Sequence, residues 1–188
     1  MLAGRGRRRD LGARRASNQI DSGSNGTIPK GAGIVRNEIK VGDKAPDFTL
    51  KDHNGRPVKL SDLAGKRVVL GFHPLAWTPV CAQQMKDLDA NADKLAELGA
   101  VAFGISVDSE PCKKAWAESL GLTKTSLLAD FWPHGGTAIL YGIFMDDVGI
   151  SQRCVFVLSP GAIVRFKKVY PIGQRPDINE IMAEVAKA

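Results

Sequence analysis

The chain has 188 residues, 44% of them hydrophobic and 24% charged, which suits one domain with room for a full core. Three cysteines are too few, and odd in number, for a disulfide scaffold, so a reducing compartment such as the cytoplasm is expected; no apolar run approaches membrane-spanning length, so no membrane association is expected. The net charge of +6 lies wholly in residues 1–36, which hold eight Lys/Arg and two acids; the remainder is balanced, so no nucleic-acid partner is expected of the folded part.

Residues 1–36 are rich in Arg, Gly and Ser and lack apolar periodicity and aromatic residues. They are expected to be a disordered basic extension. An organelle transit peptide or a basic tail touching nucleic acid or membrane shares this composition. The plainer reading is a non-folding extension. The domain is expected over residues 37–188.

Its first elements are a hairpin, Phe48–Lys51 and Pro57–Leu60, turned at Asn54-Gly55. A single helical turn capped by Ser61 and closed by Gly65 follows. Arg67 to His73 encloses the unbroken apolar run Val68, Val69, Leu70, Gly71, Phe72, which reads as a strand buried on both faces. Pro74 ends it. Pro79 then opens a helix expected to run to about Leu98, with Cys81 in its first turn and Met85, Leu88, Ala92 and Leu95 on the same face. Val101–Val107 is a second buried strand. Ser109 and Pro111 start a helix that ends at Gly121. Ser126–Ala129 is a short strand, Thr137–Tyr141 a short helix after Trp132-Pro133-His134-Gly135-Gly136, Gln152–Leu158 and Ala162–Val169 a hairpin, and Asp177–Ala186 a closing helix. Strands alternating with helices, then a hairpin and a last helix, indicate an α/β sandwich.

Cys81 stands out by position. The first turn of a helix has free N–H groups and the positive end of the helix dipole, and both favour thiolate over thiol. A small buried hydrophobe is the competing reading for any free cysteine. Pro74, Thr78 and Cys81 form P-x-x-x-T-x-x-C, which resembles the peroxidatic loop of peroxiredoxins, thiol peroxidases of thioredoxin-like fold. Ala45-Pro46-Asp47-Phe48 resembles the start of that domain, and the element order matches its topology over about residues 39–188. The resemblance implies a thioredoxin-like sandwich: a central mixed sheet flanked by helices, with an N-terminal β-hairpin.

It also implies roles. Pro74 would shield the Cys81 thiolate, and the Thr78 hydroxyl would hydrogen-bond both thiolate and peroxide. Arg153, in the apolar strand SQRCVFVL, matches the family arginine that reaches the thiolate; a buried guanidinium needs an anionic partner, and an edge arginine facing solvent is the competing reading. Many relatives carry Glu three residues after the cysteine. Here that residue is Gln84, which accepts a hydrogen bond but carries no charge and leaves the positioning of Arg153 less fixed. Trp77 is a candidate for the pocket mouth. Cys154 should point away from Arg153 into the core, because side chains alternate along a strand. Cys112 is the candidate resolving thiol, since some single-subunit two-cysteine peroxiredoxins keep theirs in the equivalent helix; Cys112, Trp116 and Leu120 also share a face, which fits core packing.

His73 and His134 lack a second ligand at metal spacing, so neither a metal nor another cofactor is expected. The WPHG turn followed by Tyr-Gly is similar to that of the one-cysteine, AhpE-like branch and reads as packing or a subunit contact. The implied function is reduction of hydrogen peroxide and small organic hydroperoxides. Thioredoxin, glutaredoxin or a similar thiol would be the reductant, and a homodimer the assembly. The alternative is a peroxide sensor or relay that passes oxidation to a partner protein.

Overall fold

Residues 38–188 are described by the computed structural model; the expected basic extension lies outside the described residues. Among the described residues, nine strands and five α-helices follow in order: β1 (Thr49–Asp52), β2 (Pro57–Lys59), β3 (Arg67–Phe72), α1 (Pro79–Ala90), α2 (Ala92–Glu97), β4 (Ala100–Ser106), α3 (Glu110–Leu120), β5 (Ser126–Ala129), α4 (Gly136–Leu140), β6 (Phe144–Met145), β7 (Ile150–Ser151), β8 (Arg153–Leu158), β9 (Val164–Tyr170) and α5 (Ile178–Lys187). Seven strands form one sheet in the order β2-β1-β5-β4-β3-β8-β9. The central strands β3, β4 and β5 are parallel, and the pairings outside them are antiparallel. The expected mixed sheet and N-terminal hairpin are both present.

The sheet separates two apolar layers. Along β8 the side chains alternate between them: Cys154, Phe156 and Leu158 join one layer with Phe72, Tyr141 and Ala138, while Val155 and Val157 join the other with Cys81, Met85, Leu88, Trp116 and Ile181. The second layer therefore lies under α1, α3 and α5. Its floor is a pair of glycines, Gly71 of β3 and Gly104 of β4, which are register partners. A Cβ on Gly71 would meet Gln84 and Leu88 at 3.3 Å, and one on Gly104 would collide with the Met85 sulfur and come within 2.9 Å of Leu127. Two missing methyl groups thus let α1 lie close against the sheet.

Local chemistry shifts several expected boundaries. The helix after Cys81 does not run unbroken to Leu98. It divides at Asn91, whose side-chain amide donates to the Asp87 carbonyl at 2.9 Å, an acceptor on the helix's own backbone. Ser61 does not cap a helical turn: the 3-10 turn Leu60–Leu63 begins a residue earlier, and the Ser61 N–H donates to the Asp47 carboxylate at 2.9 Å. The small β6–β7 hairpin was too short to show a period in the sequence.

Candidate active site

Strand β3 ends at the carboxyl edge of the parallel strands, the edge at which open α/β sheets present their sites. Residues 74–78 turn the chain from there into α1. Thr78 holds the N-cap position with extended backbone, φ −101° and ψ 144°, and Pro79 opens the helix. Ala82 is the first residue to donate back, to the Thr78 carbonyl at 2.9 Å, so the N–H groups of Val80 and Cys81 lie ahead of the helical ladder. Thr78 makes no side-chain cap to them. Its hydroxyl donates to the Leu75 carbonyl at 3.0 Å and not to the cysteine. The expected bond from the Thr78 hydroxyl to the thiolate is therefore replaced, because a hydroxyl has one proton to give and the loop carbonyl takes it.

Cys81 is fully buried, 0% exposed. Arg153 Nη2 donates to its sulfur at 3.3 Å. The same guanidinium donates from Nη1 to Gln84 Oε1 at 2.6 Å, and from Nε and Nη2 to the Ile172 carbonyl at 3.1 and 2.9 Å. β8 lies between β3 and β9 and Arg153 is 1% exposed, so it is not a solvent-facing edge arginine. Gln84, for all its neutrality, fixes the guanidinium together with Ile172. The Ile172 carbonyl was invisible to sequence reading, since any residue carries one and only the fold aims it. Pro74 is buried beside the loop.

Cys112 lies on the other side of the loop, in the first turn of α3, partly buried. Trp77 Nε1 donates to its sulfur at 3.3 Å. Asp108 accepts from the Ala76 N–H at 2.8 Å and from the Ser106 hydroxyl at 2.6 Å, and lies 3.8 Å from the Cys112 sulfur. Cys81 and Cys112 are both free thiols. Cys154 faces the opposite layer, and burial pushes its thiol up to about 12.

Beneath the loop are two buried bases that the sequence did not single out as a pair. Neither ring nitrogen of His73 has a hydrogen-bonding partner among the described residues, and the ring rests 5.3 Å from that of Trp116. Burial, with the charges of Lys113 and Arg153 added, holds its imidazole well below the ordinary value. Lys113 Nζ is likewise unpartnered among the described residues. Burial lowers its ammonium to about 7 against the opposing pull of Asp108, Cys112, Asp130 and Cys81. Asp130 accepts from the N–H groups of Thr137 and Ala138, both at 2.9 Å, and burial outweighs those bonds to raise its carboxyl. His134 is elsewhere, its Nε2 2.6 Å from the Gly149 carbonyl. Among the described residues, no group of three or more His, Cys, Asp or Glu is placed to hold a metal ion. An open hollow of about 280 Å³ at the start of β3, lined by Leu60, Leu63, Val68 and Pro160 among others, contains no thiol.

A thiol at a helix start, bonded by a buried arginine on a mixed sheet between two apolar layers, defines a thiol-dependent oxidoreductase. Comparison with known proteins narrows the class. The AhpC/TSA family pattern matches residues 41–167. The alkyl hydroperoxide reductase E of Mycobacterium tuberculosis is 39% identical over 140 residues, covering 74% of this chain and 91% of that protein. Peroxiredoxin-2 of Mus musculus is 34% identical over 155 residues, 77% of each chain. The reduced 2-Cys peroxiredoxin of Plasmodium vivax superposes with a TM-score of 0.71 at 28% identity, covering 77% of this chain and 79% of that one. The chain belongs to the AhpC/TSA family, the peroxiredoxins, and has their thioredoxin-like fold. It is a thiol peroxidase, taking a peroxide as substrate and a thiol as reductant. Among the described residues, no helix is long and apolar enough to cross a membrane.

Proposed function

We propose that Cys81 is the peroxidatic thiol and that hydrogen peroxide and small organic hydroperoxides are its substrates. The observation that carries this reading is the 3.3 Å bond from Arg153 to a fully covered Cys81 sulfur. The thiolate attacks one peroxide oxygen; the S–O bond forms as the O–O bond breaks, and charge moves from sulfur to the departing oxygen. Arg153 Nη2 and the N–H groups of Val80 and Cys81 are fixed donors for that charge, which is where pre-aligned dipoles lower a barrier most. Thr78, already donating to Leu75, offers its oxygen lone pairs to the O–H of the incoming peroxide. Pro74 closes the site from one side. The small size of the substrates follows from the burial of the sulfur.

The product is a sulfenic acid on Cys81. Cys112 is assigned as the resolving thiol: α1 and α3 leave neighbouring parallel strands at the same edge of the sheet, and both cysteines stand in first turns. A thioredoxin- or glutaredoxin-type protein would reduce the disulfide. Three free thiols support a reducing compartment such as the cytoplasm. The exposed Phe131 and Trp132, the latter 83% exposed, line one groove with Pro111 and support a homodimer through that face.

The test is direct. Cys81→Ser should abolish thiol-dependent peroxide consumption while circular dichroism stays that of the wild type. A folded Cys81→Ser protein with peroxidase activity intact sinks the assignment.

A further inference from the structure

Residues 74–78 are stitched to the segment after β4 by two bonds, Ala76 N–H to Asp108 and Trp77 Nε1–H to Cys112. The second bond is made by an unusual residue. Trp77 has φ +63°, and among the described residues the only other non-glycine with positive φ is Ala162, in the turn before β9. Left-handed backbone is unfavourable for a bulky side chain. Burial does not compensate, because Trp77 remains 57% exposed. The indole N–H on the Cys112 sulfur is the polar side-chain contact that holds this conformer.

We propose that Trp77 is a latch set by the thiol of Cys112: while that thiol is free the N–H···S bond holds the loop closed in its strained form, and when Cys112 departs for Cys81 the loop is released. The proposal rests on the reading of Cys112 as the resolving thiol. Cys112 gives up its proton and its sulfur attacks the sulfenic sulfur of Cys81. The S–S bond forms, the S–O bond breaks, and the hydroxide leaves as water with the proton Cys112 released. No oxidant beyond the peroxide already consumed is needed. Before the Cys112 sulfur can reach Cys81 the N–H···S bond must break, and as it does Trp77 relaxes toward negative φ and the first turn of α1 is free to unwind. The latch thereby sets how long the sulfenic acid persists before it is sealed. A second peroxide can convert that sulfenic acid to sulfinic acid during the interval.

Trp77→Phe keeps an aromatic ring and removes the N–H that holds the strained backbone. Sulfenic acid formation and disulfide closure are timed separately by rapid quench and intact mass after one equivalent of hydrogen peroxide. Closure in Trp77→Phe is expected to quicken roughly fivefold relative to sulfenic acid formation, the effect of losing one neutral hydrogen bond. The contact itself is read by NMR on protein with ¹⁵N-labelled tryptophan. Cys112→Ala should shift the Trp77 indole signal in the reduced protein, and Cys154→Ala, on the opposite layer, should leave it in place. A wild type that links Cys81 to Cys112 while Trp77→Phe closes no faster overturns the latch alone. An indole signal indifferent to Cys112→Ala does the same. A wild type that gains one oxygen and forms no linkage overturns the resolving role of Cys112, and the latch with it.

Discussion

Two cations are buried in the layer beneath α1 and α3, and they live on opposite terms. Arg153 is almost wholly enclosed, and each of its three nitrogens donates, to Gln84, Ile172 and Cys81. Lys113 is 0% exposed and its ammonium has no hydrogen-bonding partner among the described residues. A guanidinium cannot shed its charge at any ordinary pH, so the fold must supply acceptors. An amine can, and burial lowers Lys113 to about 7. The difference separates a charge that cannot be shed from one that burial makes easy to shed. Only the first is useful as a permanent donor to a thiolate.

The largest effect expected from breaking this contrast is on the pH dependence of stability. Folding depresses the Lys113 value from 10.5 to about 7, so between those limits the unfolded chain binds more proton than the folded one. The contribution is fully present above about 10.5 and lost as pH falls to about 7. Relative to Lys113→Met, the wild type should therefore gain up to about 1.4 kcal/mol per pH unit as pH rises through that window. Urea unfolding of both proteins at several pH values measures it, and parallel curves would show that Lys113 is already solvated. Asp108, Asp130, His73, Cys81 and Cys112 are the groups whose fields act within the same region.

The next effect removes the permanent charge. Arg153→Met should slow sulfenic acid formation roughly a hundredfold, on the order of 3 kcal/mol in the barrier, as loss of one pre-aligned donor does. Stopped-flow peroxide kinetics would reveal it; an unchanged second-order rate would place Arg153 outside the chemistry. The smallest effect sharpens the comparison by loosening Arg153 without removing it. Gln84→Met deletes the 2.6 Å acceptor and leaves a buried guanidinium N–H without that partner. It should cost about 1–3 kcal/mol of stability and slow the peroxide step by less than Arg153→Met does. A rate equal to that of Arg153→Met would mean Gln84 touches the substrate itself.

Arg153 was legible in the sequence because a guanidinium in an apolar strand violates the burial rule and demands a partner. Cys81 was legible because proline at a helix start and an apolar strand before it fix where the thiol falls. Lys113 was not: a lysine one residue past a helix's first turn reads as solvent-facing, and only the finished fold shows that it is buried within the fields of Asp108, Asp130 and Cys81. At the break the Asn91 side-chain amide joins its own backbone N–H on the Asp87 carbonyl, an added contact that periodicity does not register. The Thr78 hydroxyl took the carbonyl three residues back, a local bond open to any threonine that competes with the role the resemblance implied. What sequence reads well is burial pattern and helix start; what it misses is which backbone acceptor the finished fold brings within reach.

The glycine pair under α1 has a mechanical consequence. Because Gly71 and Gly104 leave no methyl groups between helix and sheet, Met85 and Leu88 pack against bare backbone, and lifting the second turn of α1 would break those contacts. The first turn, with Pro79 and the uncapped Val80 and Cys81, lacks that footing. The helix therefore behaves as a cantilever clamped at Met85, with Cys81 one turn out on its free end. Bending at the tip need not propagate past the clamp, so the residue that must move for chemistry is mounted on a support that need not.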